Sequence, residues 1–110
     1  MTLIFPEVVV YRDADYGGGD WRTNLTQVKY VGDSWNDCIS SIVVVSGTWT
    51  FYADADFNAG EAGGGIQKTL GPGYYPWVEA EDIPNDTISS FQCISWDPQG
   101  DNPKGVKVVL

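Results

Sequence analysis

Asn36-Asp37-Cys38-Ile39-Ser40-Ser41-Ile42 returns later in the chain as Asn85-Asp86-Thr87-Ile88-Ser89-Ser90-Phe91, an offset of 49 residues. A second pair of words flanks it. Val10-Tyr11-Arg12-Asp13-Ala14-Asp15-Tyr16 returns as Phe51-Tyr52-Ala53-Asp54-Ala55-Asp56-Phe57, an offset of 41. Matching words in matching order mark an internal duplication, and each copy is one supersecondary unit. The offsets differ by eight residues, so the second copy holds an insertion between its two words. The glycine-rich Gly60-Glu61-Ala62-Gly63-Gly64-Gly65 is its place. The copies run from about 7 to 47 and from about 48 to 94, inside a single domain of residues 1–110 with a C-terminal extension at 95–110.

Both copies read as β. Glu7-Val8-Val9-Val10-Tyr11 and Trp49-Thr50-Phe51-Tyr52 are β-branched and aromatic, and a glycine-rich turn follows each. Ile39 to Val45 and Ile88 to Ile94 read as the last strands of their copies. Period-two alternation puts Ile42 and Val44 on one face, and Phe91 and Cys93 on the equivalent face, towards the core. Gly32-Asp33, Ser46-Gly47 and Gly71-Pro72-Gly73 supply turns, and a short helical turn fits Glu79 to Asp82. Four strands per copy, twice over, give an all-β chain of two Greek keys packed as a sandwich. One copy alone has nothing to bury its apolar face against.

Composition narrows the function. Fifteen acids against six bases give a net charge of −9, the wrong field for nucleic acid or an anionic membrane. Histidine is absent, which removes Ser-His-Asp and Cys-His catalysis and any His-ligated zinc. Two cysteines build no Cys-rich cage. Cys38 stands in a motif loop and Cys93 on an inward strand position, a poor pairing for a disulfide. No apolar run is long enough to span a bilayer. Met1-Thr2-Leu3-Ile4-Phe5-Pro6-Glu7 lacks a basic n-region and a long apolar run, so no signal peptide is read there and the expectation tilts towards the cytoplasm.

The words themselves resemble the βγ-crystallins, in particular microbial single-domain calcium-binding members. The family's first signature is an aromatic, four residues, an aromatic, one residue and a glycine. Tyr11, Tyr16 and Gly18 fit it in full. Tyr52 and Phe57 fit in the second copy, but Ala59 stands where the glycine belongs and Gly60 follows one step late. That glycine adopts φ > 0 in a folded-over hairpin, which alanine resists, so a remodelled second hairpin is expected. The second signature, Asn/Asp, Asn/Asp, any two, Ser/Thr, Ser, is met at every fixed position by Asn36 to Ser41 and by Asn85 to Ser90. The resemblance covers about residues 7 to 94; Val106-Lys107-Val108-Val109-Leu110 beyond it could add a strand.

This resemblance implies two calcium ions per chain, each shared between the copies. Asp37 and Asp86 would give carboxylate oxygens, and Ser40 and Ser89 hydroxyls. Backbone carbonyls would come from Cys38, Thr87, Arg12 and Ala53. Asn36, Asn85, Ser41 and Ser90 would support the loops. Calcium takes six to eight oxygens, and such a motif offers amide, carboxylate, carbonyl and hydroxyl in six residues. With about one carboxylate per site, the affinity is expected on the order of 10⁻⁶ to 10⁻⁴ M.

Other readings of the same residues are weaker. Asp13-Ala14-Asp15 and Asp54-Ala55-Asp56 suggest an EF-hand, but neither loop has Glu at its twelfth place. Tyr74-Tyr75-Pro76-Trp77 suggests a sugar platform, but aromatics in a small sandwich are usually core and corner residues. The sequons at Asn24 and Asn85 are taken as chance, the second lying inside the ion motif. The leading function is a non-enzymatic, monomeric calcium-binding structural protein that ions stabilise, its protein partner unspecified. The alternative is an inhibitor or toxin-like interaction module on the same fold, with calcium sites weak or lost.

Overall fold

The computed structural model describes residues 6–59 and 65–96. Four strands come from each copy: β1 (Glu7–Asp13), β2 (Gly17–Thr23), β3 (Gln27–Val28) and β4 (Ser41–Ser46), then β5 (Thr48–Tyr52), β6 (Gln67–Leu70), β7 (Gly73–Tyr75) and β8 (Ser90–Ser95). They form two four-stranded antiparallel sheets, β2-β1-β4-β7 and β3-β8-β5-β6. Each copy thus lends its third strand to the other copy's sheet. β7 adds to β4 through Val43↔Tyr74, and β3 adds to β8 through Val28↔Phe91. This exchange makes neither copy a folding unit by itself.

The last strands begin two residues later than the apolar pattern suggests, at Ser41 and Ser90. Ile39 and Ile88 are buried all the same, as loop residues packed under the sheets. The short helical turn expected at Glu79 to Asp82 is present as a 3-10 turn over Val78–Glu81. Residues 60–64 of the inserted segment and the C-terminal 106–110 lie outside the described residues.

Alternation fills the core from both sheets. Val8, Val10, Ile42 and Val44 face Val28, Trp49, Phe51, Leu70 and Phe91. Phe91 is the centre, with ring centroids 5.5 Å from Phe51, 5.7 Å from Trp21 and 5.9 Å from Trp49. Trp21 belongs to the first copy, so the aromatic cluster spans both halves. The indole N–H of Trp49 donates to the Ser46 carbonyl at 2.9 Å, which satisfies the polar end of a fully buried ring. Cys93 packs against this cluster from a half-buried position, and no disulfide joins it to Cys38.

The copies meet in a tight turn at Gly47. Its φ is +86°, and a Cβ there would stand 3.1 Å from both the Cys93 sulfur and the Trp49 Nε1. Only glycine allows β4 to pass directly into β5 on the opposite sheet.

Candidate functional site

The two β1–β2 and β5–β6 corners fold over onto the motif loops in the same way. In the first, the Ser41 hydroxyl donates to the Asp13 carbonyl at 2.6 Å and accepts from the Tyr16 N–H at 3.0 Å. In the second, the Ser90 hydroxyl donates to the Asp54 carbonyl at 2.6 Å and accepts from the Phe57 N–H at 3.1 Å. Both serines are fully buried. The signature aromatics close each corner, with centroids of Tyr11 and Tyr16 5.4 Å apart and those of Tyr52 and Phe57 5.5 Å apart. Desolvation, with the Asp15 carboxylate beside it, pushes the Tyr16 phenol above its usual value.

Each corner also receives the exchanged strand region of the other copy. Asp15 N–H donates to the Pro76 carbonyl at 2.9 Å, and Asp56 N–H donates to the Lys29 carbonyl at 2.7 Å. The two corners differ in the glycine position. Gly17 and Gly18 have φ of −103° and +78°, whereas Asn58 and Ala59 have +61° and −62°. The signs are exchanged, so alanine stays in the ordinary helical region. Gly18 could hardly be anything else, because a Cβ there would lie 2.3 Å from Asp13 Oδ2. Asn58 takes the left-handed place, which asparagine tolerates better than most residues. Its buried side chain accepts from Asp54 N–H and donates to the Ile66 carbonyl, both at 2.8 Å.

The motif loops are related just as closely. Asp37 and Asp86 both adopt left-handed backbone, φ +58° and +59°. Ser40 N–H donates to the Tyr11 carbonyl and Ser89 N–H to the Tyr52 carbonyl, both at 2.9 Å. These bonds set Arg12 and Ala53, one residue past each accepting carbonyl, next to the serines; Arg12 falls within a register shift between Tyr11 and Asp13. The Ser40 carbonyl accepts from Val78 and the Ser89 carbonyl from Val31, each across the copies.

The side chains then cross from one copy to the other. The Ser40 hydroxyl donates to Asp86 Oδ1 at 3.3 Å. The Ser89 hydroxyl donates to Asn36 Oδ1 at 2.5 Å, and Asn36 Nδ2 donates to Asp37 Oδ2 at 3.4 Å. The serines are buried while Asp37 and Asp86 are exposed. Cys38 and Thr87 follow the left-handed aspartates and are half-buried. The Thr87 hydroxyl donates to the Pro84 carbonyl at 2.6 Å and so closes its own loop. Asn85 N–H donates to Glu79 Oε2 at 3.1 Å, while Asn85 Oδ1 is sealed from solvent with no donor.

Three features escaped the sequence pattern. The first is the strand exchange. The second is the Arg12 guanidinium, which lies 4.3 Å over the Trp35 ring and ties the first corner to the residue before Asn36. The third is Asn58, whose signal was an asparagine beside a missing glycine. Among the described residues no group of three or more Asp, Glu, His or Cys comes together, so a cation here relies on mixed oxygens.

The whole repeated region matches known proteins. The Beta/Gamma crystallin family model matches residues 7–94, the span of the two copies. A beta/gamma-crystallin of Ciona intestinalis is 32% identical over 88 residues, covering 78% of this chain and 95% of that protein. The crystal structure of a betagamma-crystallin from an archaeon superposes with a TM-score of 0.72 at 41% identity, covering 83% of this chain and all of the other (100%). A transition-metal-ion-binding betagamma-crystallin from Methanosaeta thermophila superposes with a TM-score of 0.62 at 29% identity, covering 79% of this chain and 99% of that one. With its duplicated signatures, exchanged third strands and these likenesses, the chain belongs to the beta/gamma crystallin family.

Proposed function

We propose that the chain is a non-enzymatic calcium-binding protein whose two ions, each held by residues of both copies, stabilise the fold. The observation that carries this reading is the Ser40–Asp86 pair, a hydroxyl and a carboxylate from different copies 3.3 Å apart. Oxygens sharing one calcium at 2.3–2.6 Å, at roughly right angles, stand about 3.3–3.7 Å from one another. The residues fit the ion in a second way. Asn85 Oδ1 is a buried acceptor with no donor, the kind of unmet polar group that a bound ion or its rearranged ligands resolve.

One ion would be held by Asp86, Ser40 and the Arg12 carbonyl, the other by Asp37, Ser89 and the Ala53 carbonyl, with Cys38 and Thr87 carbonyls and water completing the sets. An ion bound there would offset the charge of Asp37 or Asp86 and tie residues of the two copies together. Asn36 orients Ser89: a hydroxyl that donates its single proton to Asn36 keeps its lone pairs for a cation. The oxygen-only donors and the absence of histidine favour a hard cation over the transition metals bound by the Methanosaeta relative.

Calorimetric titration of the full chain with calcium tests this. Two ions per chain are expected, with magnesium far weaker because it holds its water and demands a tighter octahedron. Asp86→Lys should weaken both sites, since it charges the surface the copies share. No calcium heat, or one ion whose binding Asp86→Lys leaves unchanged, would overturn the proposal.

A further inference from the structure

One base of this strongly acidic chain stands apart from the acids. The Arg12 guanidinium lies 4.3 Å over the Trp35 ring, and among the described residues it makes no ion pair. Trp35 is backed in turn by Trp21, with centroids 5.9 Å apart. Its carbonyl accepts the Cys38 N–H at 3.1 Å, which closes the turn over Asn36 and Asp37. Arg12 itself sits where the pairing of β1 with β2 skips a residue, one place beyond the end of the pairing with β4. Directly before it, the Tyr11 carbonyl accepts the Ser40 N–H at 2.9 Å. The stack therefore joins the backbone beside Ser40 to the loop that carries Asn36 and Asp37. The offsets of 41 and 49 put Ala53 and Pro84 at the equivalent places of the second copy, and these two residues cannot form such a stack.

We infer that Arg12 is a positioning residue for cation binding: through Trp35 its guanidinium holds the stretch of backbone whose carbonyl would serve the ion of Ser40 and Asp86. This rests on the cation-binding reading above. An arginine could tie the same two segments by an ion pair, but a carboxylate so engaged is lost to the cation. A stack on an indole ties them and leaves every carboxylate free. Arg12 then acts on an incoming ion in two opposed ways. Its charge repels a dication, an effect that solvent and salt screen. Its stack fixes a ligand-bearing segment before the ion arrives, which lowers the ordering cost of binding. Arg12 and Trp35 are both half-buried, a setting in which a cation over tryptophan is held more firmly than at a fully exposed surface. Positioning is therefore the larger effect, and removing the positive charge should weaken the uptake of a positive ion.

The test is calcium calorimetry on the full chain with Arg12→Met, Trp35→Leu and the two combined. Arg12→Met keeps an apolar stem and loses the cation, and it should weaken one of the two ions by about three- to fivefold. In the Trp35→Leu background the same substitution should change neither affinity beyond about twofold, or should tighten binding, because only the charge is then left to remove. The cycle cancels what Trp35→Leu loses against Trp21, since that contact does not involve Arg12. If Trp35→Leu fails to fold, Trp35→Phe replaces it, and the Arg12→Met effect should then shrink because the ring holds a cation less well. The inference is overturned if Arg12→Met tightens calcium in the parent, or if its effect is the same with and without the indole. It is equally overturned if Arg12→Met lowers the melting midpoint in chelator yet leaves both affinities unchanged, which is the mark of a stack that only stabilises the fold. No calcium uptake by the unaltered chain overturns the functional reading and this inference with it; uptake of two ions that Arg12→Met leaves unchanged overturns the inference alone.

Discussion

The two folded corners reach one shape by two backbone routes. The first uses Gly17-Gly18 with the left-handed residue second; the second uses Asn58-Ala59 with the left-handed residue first. In both, a buried serine bonds the same carbonyl and the same N–H to within 0.1 Å. The conserved quantity between the copies is thus the serine clamp and not the glycine. Once the clamp is satisfied, the chain is free to choose which residue takes φ > 0, provided an asparagine or glycine is there to take it. The second corner adds what the first does not need, two side-chain hydrogen bonds from Asn58 that hold the strand beginning the insertion's far side.

Substitutions at these positions should destabilise the two corners in a defined order. Asn58→Ala should be the most damaging, by about 3 kcal/mol, because it leaves buried backbone partners unmet and forces alanine left-handed. Gly18→Ala should follow at about 2 kcal/mol, from the left-handed φ and the contact with the Asp13 carboxylate. Ser41→Ala and Ser90→Ala should each cost about 1–2 kcal/mol and agree with one another closely. Unequal values would mean that the clamps are not equivalent. Ala59→Gly should be the mildest, a loss of about 0.5–1 kcal/mol from the added freedom of the unfolded chain. Denaturant melts of the five variants, in chelator, rank all of these effects. A stabilising Ala59→Gly would show that the second corner is strained after all.

Much of this was legible from the repeat. The offsets located both copies and the inserted segment, alternation gave the faces of Ile42, Val44 and Phe91, and the resemblance to the family signature marked the missing glycine at Ala59. What stayed hidden has a common cause: it depends on how one copy meets the other. Nothing in Gln27-Val28 or Gly73-Tyr74-Tyr75 says that these strands leave their own copy, because pairing partners are set by the packed sandwich and not by local pattern. The same holds at the ion motifs. Asn36 and Asn85 occupy the same place in the same six-residue word, and only the three-dimensional partners show that the Oδ1 of one has a donor and that of the other has none.

In the proposed function, ions fasten two half-domains that already share strands and a core. A ligand that binds only the native state stabilises it by about 2.7 kcal/mol at a hundredfold excess over its dissociation constant. For a chain of this size that is a shift of several degrees or more in the melting midpoint. Differential scanning calorimetry of the full chain, in chelator and in millimolar calcium, therefore distinguishes a fold fastened by ions from one that is complete without them. The prediction is one cooperative transition in both conditions, moved upward by calcium. Superimposable curves, or two separate transitions of which calcium moves only one, would contradict it.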